Sequence, residues 1–208
     1  RKGFYHRFSW QTTAEIPIKG PLQVSYTEFQ WRAKGASEWN IVRVPGTSDY
    51  IDFDTGLVPN AVSPGMEWQA VVYASNGISA TGGYTSVSFQ STAVRLTELT
   101  PASKATVYKG FSVNFSWELS YTRPDDLSGS LRQVSAKLRW RKSGTQNYNE
   151  YQIDSATQAY SIPADVLPIG NIDWQVEVTD TSGGTTISGW TTFSHKELPI
   201  TPTDLHPE

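Results

Sequence analysis

Tryptophan-containing motifs occur twice in this chain, in the same order in each half. The two copies lie about 104 to 110 residues apart, which is too long for a solenoid repeat and typical of a whole domain. The repeated pairs are Phe8-Ser9-Trp10 and Phe115-Ser116-Trp117, Trp31-Arg32 and Trp140-Arg141, and Trp68-Gln69 and Trp174-Gln175. The sequence therefore predicts two related domains, residues 1–92 and 93–195, followed by a tail of residues 196–208.

Around these motifs, apolar and polar residues alternate with a period of two. In the second repeat, Leu138 and Trp140 alternate with Arg139 and Arg141. This period is typical of antiparallel strands that cover a core on one face. Turn sequences rich in Gly separate the strands, and no long stretch has apolar residues at helical spacing. The pattern predicts an all-β chain made of two tandem β-sandwiches.

Aromatic residues are frequent, with eight Trp and ten Tyr among 208 residues. Each aromatic side chain removes a large apolar area from water when it is buried, so we expect most of them in the cores. Six tryptophans hold equivalent inward positions in the two repeats, and we expect all six to be largely buried: Trp10, Trp31, Trp68, Trp117, Trp140 and Trp174.

The charge of the chain is nearly balanced, with 17 Lys and Arg against 20 Asp and Glu and a formal net charge of -3. Nucleic acids and anionic membranes are bound through concentrated basic surfaces, so we expect no nucleic-acid partner. No apolar run approaches the roughly 18 residues of a membrane-spanning helix, so we expect no membrane insertion. The chain has no Cys, which disfavours a eukaryotic secreted receptor, because such ectodomains usually carry disulfides.

Four motifs of the second repeat follow one another in the order of a known family. Phe115-Ser116-Trp117 resembles its strand B, and Leu138–Arg141 with Gly144 resembles strand C and its turn. Trp174-Gln175-Val176 resembles strand F, and Gly189–Phe193 the final strand. Each half of the chain thereby resembles a fibronectin type III domain, of the Trp-rich kind found in bacterial surface proteins and phage tail proteins. The resemblance implies two immunoglobulin-like sandwiches that act as spacers or binding modules, although the fold itself assigns no activity.

The corner that leads into strand F departs from the family. A Tyr usually lies there, and its hydroxyl bonds back to the backbone. In this chain Trp68 and Trp174 occupy the matching positions. An indole N–H can only donate a hydrogen bond, so any bond formed there differs from the usual one.

The two repeats differ at their beginnings. Seven residues precede Phe8, whereas about 20 residues of the second repeat precede Phe115. We therefore expect the first domain to lack its first strand, and we interpret the chain as part of a longer protein. Residues Thr203–Pro207 match Thr97–Pro101 at the repeat distance, so the tail resembles the first strand of a further repeat. A disordered tail rich in Pro and Thr is the alternative.

Catalytic chemistry has little support in the sequence. The three histidines, His6, His195 and His206, have no partner that their spacing places beside them, and Cys is absent. A general base, a nucleophile or a zinc site needs such partners. We therefore predict a protein that is not an enzyme and has no cofactor.

One acidic cluster, formed by Asp49, Asp52 and Asp54, is a weak candidate for a metal site. On a strand, Asp52 and Asp54 lie on one face, and calcium prefers several oxygen ligands. The alternative is that these carboxylates are solvated charges that protect a strand edge from pairing.

Aromatic residues outside the predicted cores are the better candidates for binding. Trp39 and Tyr148 lie at equivalent places beyond the strand C turn, and Tyr151 follows in an Asn-rich and Tyr-rich segment. Such a composition suits stacking on sugar rings and protein interfaces. The alternative is that these rings pack over the sheet edge, where Arg32 and Arg141 would stack on neighbouring aromatic residues. These neighbouring aromatic residues are Tyr84 and Trp190, which lie at matching positions near the last strands.

These observations together predict a non-catalytic structural or adhesive module of a larger extracellular protein, located at a bacterial cell surface or in a virion. Its partners would be other protein domains of the same assembly. The alternative is a carbohydrate-binding or accessory module of a cell-wall-active enzyme. Its ligand would be a cell-surface polysaccharide bound by Trp39, Tyr148 and Tyr151.

Overall fold

The structure, a computed structural model, describes residues 1–13, 23–59 and 65–200. The chain forms two compact units. Unit 1 contains residues 1–92 together with 123–131 and 181–183, and unit 2 contains residues 93–122, 132–180 and the chain from 184 onward. The tail residues 201–208 lie outside the described residues, so the predicted further strand and His206 are not described.

Unit 1 is built from seven described strands and one short 3-10 helix. Strands β1 and β4 form a two-stranded sheet, and the second sheet has the order β3-β2-β5-β6 with β7 also paired to β5. The strands are β1 (Tyr5–Ser9), β2 (Val24–Ala33), β3 (Asn40–Pro45), β4 (Tyr50–Asp54), β5 (Gly65–Ala74), β6 (Ser79–Thr81) and β7 (Thr85–Ser88), and the 3-10 helix is Thr55–Leu57.

Unit 2 has the same plan with additional strands. One sheet has the order β13-β10-β8, and the other has the order β12-β11-β14-β16-β9 with β15 also paired to β14. The strands are β8 (Val94–Thr100), β9 (Thr106–Tyr108), β10 (Val113–Tyr121), β11 (Gln133–Lys142), β12 (Asn149–Ile153), β13 (Ala159–Ile162), β14 (Gly170–Asp180), β15 (Thr185–Ile187) and β16 (Thr191–Lys196).

The core of unit 2 follows the alternation in the sequence. In β14 the side chains of Trp174, Val176 and Val178 are buried, whereas those of Gln175 and Glu177 face outward. The inward residues of both sheets meet in one hydrophobic cluster, which also contains Phe115, Trp117, Leu138, Trp140 and Phe193. The prediction of all-β sandwiches is confirmed. The strand B, C and F motifs and the final strand lie on β10, β11, β14 and β16, in the order that the fibronectin type III resemblance requires.

Two of the three tryptophans in the core of unit 2 donate their indole N–H to a buried acceptor, whereas that of Trp140 is buried without a hydrogen-bond partner among the described residues. Trp174 is fully buried and donates to the carbonyl oxygen of Pro101 at 3.0 Å, just beyond the end of β8. The indole thus bonds to backbone 73 residues away, beside the first strand, and not to the nearby backbone that the hydroxyl of a corner tyrosine reaches. Trp117 donates to Oε1 of Gln133 at 2.8 Å. The amide of Gln133 in turn donates to the carbonyl oxygens of Ser155 and Thr157.

The two repeats do not bury their tryptophans equally. Trp31, Trp117, Trp140 and Trp174 are buried, whereas Trp10 and Trp68 in unit 1 are partly buried and pack against the core. One reason is that no described strand covers the outer edge of β1, where Tyr5 makes an isolated bridge with Ser128.

A second difference affects Trp10. Val24 immediately precedes the bulge of β2, and Gln133 holds the same position in β11. The acceptor that Gln133 provides to the indole of Trp117 is therefore replaced by an apolar side chain in unit 1. A cavity of about 490 Å³ lies beside Trp10 and is lined by Val24 and Thr27. The hydroxyl of Thr27 is buried and has no hydrogen-bond partner within the described ranges.

We expect Gln133→Val to lower the free energy of unfolding by about 1 to 3 kcal/mol. The substitution leaves the buried indole N–H of Trp117 and two backbone carbonyls without their partner. Urea denaturation of the full chain, followed by tryptophan fluorescence, measures the change. Gln152→Val is the matched control, because its amide donates only to the exposed Asp154 and its loss should cost less than about 0.5 kcal/mol. Equal effects of the two substitutions would contradict a structural role for Gln133.

Candidate binding surface

The larger sheet of each unit presents a polar outer face, which the parity of its strands defines. In β2 the side chains of Phe29 and Trp31 lie in the core, so Gln30 and Arg32 point outward. In β11 the side chains of Leu138 and Trp140 lie in the core, and the two arginines between and after them point outward. The exposed aromatic residues singled out in the sequence lie around these outward arginines.

In unit 1 the guanidinium of Arg32 is enclosed by two rings and a carboxylate. It lies 4.4 Å from the ring centroid of Trp39 and 5.5 Å from that of Tyr84. Its Nε is 2.7 Å from Oε2 of Glu67, the residue opposite it on β5. The two rings themselves are 6.1 Å apart. A cation held between π faces and a carboxylate fixes all three partners in place.

Unit 2 has the same arrangement at the same positions of its sheet. Arg141 lies 4.1 Å from the ring centroid of Trp190, and its Nε is 3.5 Å from Oδ2 of Asp173. Asp173 is opposite Arg141 in the register, as Glu67 is opposite Arg32. Asp173 also accepts a hydrogen bond from Thr192. The ring of Tyr148 is 6.4 Å from that of Trp190 and completes the group.

Tyr148 contacts a second ion-pair network in unit 2. The guanidinium of Arg139 lies 5.4 Å from its ring centroid and bonds to Glu150 at 2.6 Å and Glu177 at 3.0 Å. The hydrogen bond from Arg139 to Glu150 is the main reason why the pKa of Arg139 is raised, with Glu177 adding to it. Two carboxylates beside Tyr148 therefore share one guanidinium.

The three predicted binding aromatics do not lie on one face. Trp39 is partly buried, and Tyr148 is 50% exposed, at equivalent places on the outer faces of their units. Tyr151 is opposite Leu138 in the register and therefore faces the core side of the sheet. There its ring stacks on that of Tyr160, 5.0 Å away, at the edge of the hydrophobic cluster. Tyr148 and Tyr151 are thus separated by the sheet.

Unit 1 has a further outer-face cluster that the sequence analysis missed. Glu28 accepts hydrogen bonds from the hydroxyl of Tyr73, the amide of Gln30 and the guanidinium of Arg43. The ring of Tyr73 stacks on that of Tyr26 at 4.6 Å. Burial and the nearby charge of Glu28 raise the pKa of Tyr73. The alternation of Tyr26, Glu28 and Gln30 along β2 is the sequence pattern that could have predicted that these side chains share the outer face.

The acidic cluster has partners within the protein. Asp52 makes a two-pronged ion pair with Arg7 at 2.8 and 2.9 Å, and this hydrogen bonding lowers the pKa of Asp52. Asp54 caps the 3-10 helix by accepting from the backbone N–H of Gly56. The backbone carbonyl of Asp49 accepts from the N–H of Trp10. Within residues 1–13, 23–59 and 65–200, no three acidic or histidine side chains are grouped to hold a metal.

The described histidines have local contacts. His195 is buried, and its Nδ1 lies 3.0 Å from the carbonyl oxygen of Pro168. His6 contacts backbone atoms of Arg1, and burial lowers the pKa of His6. In the described parts of the chain, no helix is long and apolar enough to span a membrane.

No family model and no curated protein matches the sequence. The solved structures that are similar to it include the following three. The FN1–FN3 domains of chicken CNTN1 have a TM-score of 0.38 at 10% identity, over 94% of this chain and 63% of that one. The Clostridium thermocellum CbhA fibronectin(III)-like modules have a TM-score of 0.37 at 17% identity, over 99% and 93%. A tetra-tandem repeat in the extending region of a large adhesion protein has a TM-score of 0.40 at 15% identity, over 84% and 42%.

The chain thus spans less than two thirds of the CNTN1 and adhesion-protein structures.

We expect Arg141→Met to destabilise unit 2 by about 1 to 2 kcal/mol. The change removes the cation from the ring of Trp190 and leaves the mostly buried Asp173 without its charge partner. Native-state hydrogen exchange at the amides of β14 reports the free energy of opening of this unit alone. Arg95→Met is the control, because Arg95 is an exposed residue of β8 that has no ion pair or ring contact with any described residue. The structural role of the arginine would be contradicted if both variants exchanged like the wild type.

Proposed function

We propose that the chain is a non-catalytic structural module of a larger extracellular protein, acting as a spacer and as a surface for protein contacts. We place the parent protein at a bacterial cell surface or in a virion, such as a phage tail. The partners are other protein domains of the same assembly. The absence of Cys agrees with cores that need no disulfide.

One observation supports this proposal above the others. The same group of one arginine, one carboxylate and two aromatic rings occurs on the outer face of both units, but the rings are exchanged. Unit 1 places Trp39 beside the turn and Tyr84 near the last strand, whereas unit 2 places Tyr148 beside the turn and Trp190 near the last strand. A ligand-binding site requires a particular aromatic residue at each position. Stabilisation of a sheet by cation–π contacts requires only an aromatic face there, which Trp and Tyr both provide. The arrangement therefore favours a structural role.

The chemistry of these groups also supports a structural role. Their carboxylates are bound by arginines of the same sheet, and the guanidinium groups are covered by rings. A catalytic acid or base needs access to a substrate and a pKa adjusted to its task. In these ion pairs each charged side chain binds a partner on the same sheet, so the pairs hold neighbouring strands together.

Carbohydrate binding is the second candidate, because the rings of the outer face are exposed. Tyr84 is 59% exposed, Tyr148 is 50% exposed and Trp190 is 38% exposed. Exposed aromatic faces stack on sugar rings, which would make this face a binding module of a cell-wall-active enzyme. The guanidinium groups already lie over these rings, so a sugar would have to use the remaining ring surface.

A pull-down with insoluble polysaccharides separates the two functions. Wild type, Trp39→Ala and Tyr148→Ala are incubated with cellulose, chitin and peptidoglycan. We expect no retention of any of the three, because the rings bind the arginines of their own sheet. We expect the two variants instead to lose about 0.5 to 1.5 kcal/mol of stability in urea denaturation.

Tyr108→Ala is the matched control, because Tyr108 is exposed but has no ring or cation contact among the described residues. If the wild type and Tyr108→Ala are retained and Tyr148→Ala is not, the chain binds carbohydrate and the structural proposal is wrong.

A further inference from the structure

The turn between β5 and β6 contains the only asparagine of the chain that precedes a glycine. Every other asparagine is followed by a residue with a side chain. Residues 75–80 are all exposed, and a Cβ built on Gly77 would meet no atom within 4 Å. A glycine after Asn76 matters chemically, because it leaves its own backbone nitrogen open to the side chain of the asparagine.

Hydrogen bonds within the turn fix the position of the Asn76 side chain. The backbone N–H of Ala74 donates to the carbonyl oxygen of Ile78 at 2.8 Å, and that of Gly77 donates to the carbonyl oxygen of Ala74 at 3.0 Å. The N–H of Ile78 donates to Oδ1 of Asn76 at 3.1 Å. The side-chain carbonyl of Asn76 therefore already has a backbone donor aimed at its oxygen.

This donor favours attack on the side-chain amide. When a nucleophile adds to Cγ of Asn76, negative charge develops on Oδ1, and a donor that is already in place stabilises such an oxyanion. The backbone nitrogen of Gly77 is the nearest nucleophile along the chain, and its attack closes a five-membered ring within one molecule. The nitrogen must first release its hydrogen bond to Ala74, and an exposed hairpin end allows this by local opening.

The equivalent turn after β14 has the same backbone shape without an asparagine. The registers of β5 and β14 align the two hairpins, so Ser182-Gly183 matches Asn76-Gly77. The φ angle is 76° at Gly183 and 83° at Gly77. Both turns need a glycine for this left-handed conformation, but serine serves as well as asparagine before it. The fold therefore does not require the reactive amide.

We propose that Asn76 is a site of self-modification, at which the chain releases ammonia without an enzyme. The nitrogen of Gly77 gives its proton to a base in the solvent and forms a bond to Cγ, and the bond from Cγ to Nδ2 breaks as ammonia leaves. Water then opens the resulting cyclic imide. Breaking the new bond to Cγ gives an aspartate, whereas breaking the bond from the same nitrogen to the backbone carbonyl carbon of residue 76 gives an isoaspartate.

The isoaspartate changes the hairpin more than the aspartate does. Its main chain runs through the former side chain and gains one methylene between residues 76 and 77. The register that places Tyr73 opposite Ser79 depends on the present length of the turn. Strand β6 has only three residues and lies at the end of its sheet, where it pairs with β5. We therefore expect the isoaspartate to release β6 while β2 and β3 stay paired.

Peptide mapping of the full chain after storage in mildly alkaline buffer tests the modification. Electron-transfer fragmentation distinguishes aspartate from isoaspartate, and we expect both at position 76. We expect at least about tenfold less conversion at Asn171, because β14 must open before its backbone can close the ring. Mildly acidic buffer should slow the reaction, since the nitrogen of Gly77 must lose its proton. Asn76→Ser is the matched control, because it copies the turn sequence Ser182-Gly183 and has no amide to lose.

Hydrogen exchange followed by NMR tests the effect on β6. The isoaspartate form is separated by chromatography and compared with the wild type. We expect the amides of β6 to exchange at least about tenfold faster in the isoaspartate form, and those of β3 to exchange at the same rate in both. Asn76→Asp separates the new charge from the longer backbone, because it carries the carboxylate on an unaltered main chain. We expect its β6 amides to be protected as in the wild type.

Conversion at residue 76 that is no faster than at Asn171 would overturn the proposal. An isoaspartate form that keeps β6 protected would overturn it as well. If Asn76→Asp released β6 to the same extent, the effect would come from the charge, and the role of chain length would be wrong. The inference does not depend on the proposed function or on the outer-face aromatic residues.

Discussion

The hydrogen bond from the indole of Trp174 to the carbonyl of Pro101 shows what a sandwich of this kind requires. The first strand both covers one side of the core and brings a backbone acceptor to a buried indole donor, which would otherwise lose its hydrogen bond at a cost in stability. Unit 2 meets both requirements, and Trp174 is fully buried. Unit 1 has the same aromatic core around Phe29, Phe53 and Trp31, but Trp10 and Trp68 remain at its open side. The two units therefore share one fold and differ in whether a described first strand covers one side of the core.

The outer faces follow a second principle that the two units share. Each larger sheet places an arginine between a carboxylate on the neighbouring strand and aromatic rings beyond the strand ends. These side-chain contacts join neighbouring strands on the face of the sheet that is exposed to solvent. They are formed with Trp and Tyr in either order at the two ring positions. Core and outer face thus stabilise the same sheet in different ways, the core by burial of apolar area and the outer face by cation–π contacts and ion pairs.

Local patterns were enough to predict the fold and much of the outer face. The parity of Leu138 and Trp140 placed both in the core, and the repeat placed Trp39 and Tyr148 at equivalent points. The sequence did not predict that Trp10 and Trp68 are less buried than Trp117 and Trp174, because burial there depends on a strand that is distant in sequence. The cluster of Glu28 and Tyr73 was missed for a similar reason, since 45 residues separate the two partners and only the register joins them. The sequence alone therefore predicts site positions that depend on a single strand, but it does not predict those that depend on the pairing of distant strands.

Amide hydrogen exchange in unit 2 tests most directly whether the indole of Trp174 holds the first strand in place. The amides of Glu118 and Ser120 on β10, which lie opposite Thr97 and Arg95 of β8, are compared by NMR in the wild type and in Trp174→Phe. Trp140→Phe is the matched control, because the indole N–H of Trp140 is buried and has no hydrogen-bond partner among the described residues. We expect both amides to exchange at least about fivefold faster in Trp174→Phe than in Trp140→Phe, because only the first change removes a hydrogen bond to the backbone beside β8. Equal exchange in the two variants would contradict a role of this hydrogen bond in closing the sandwich.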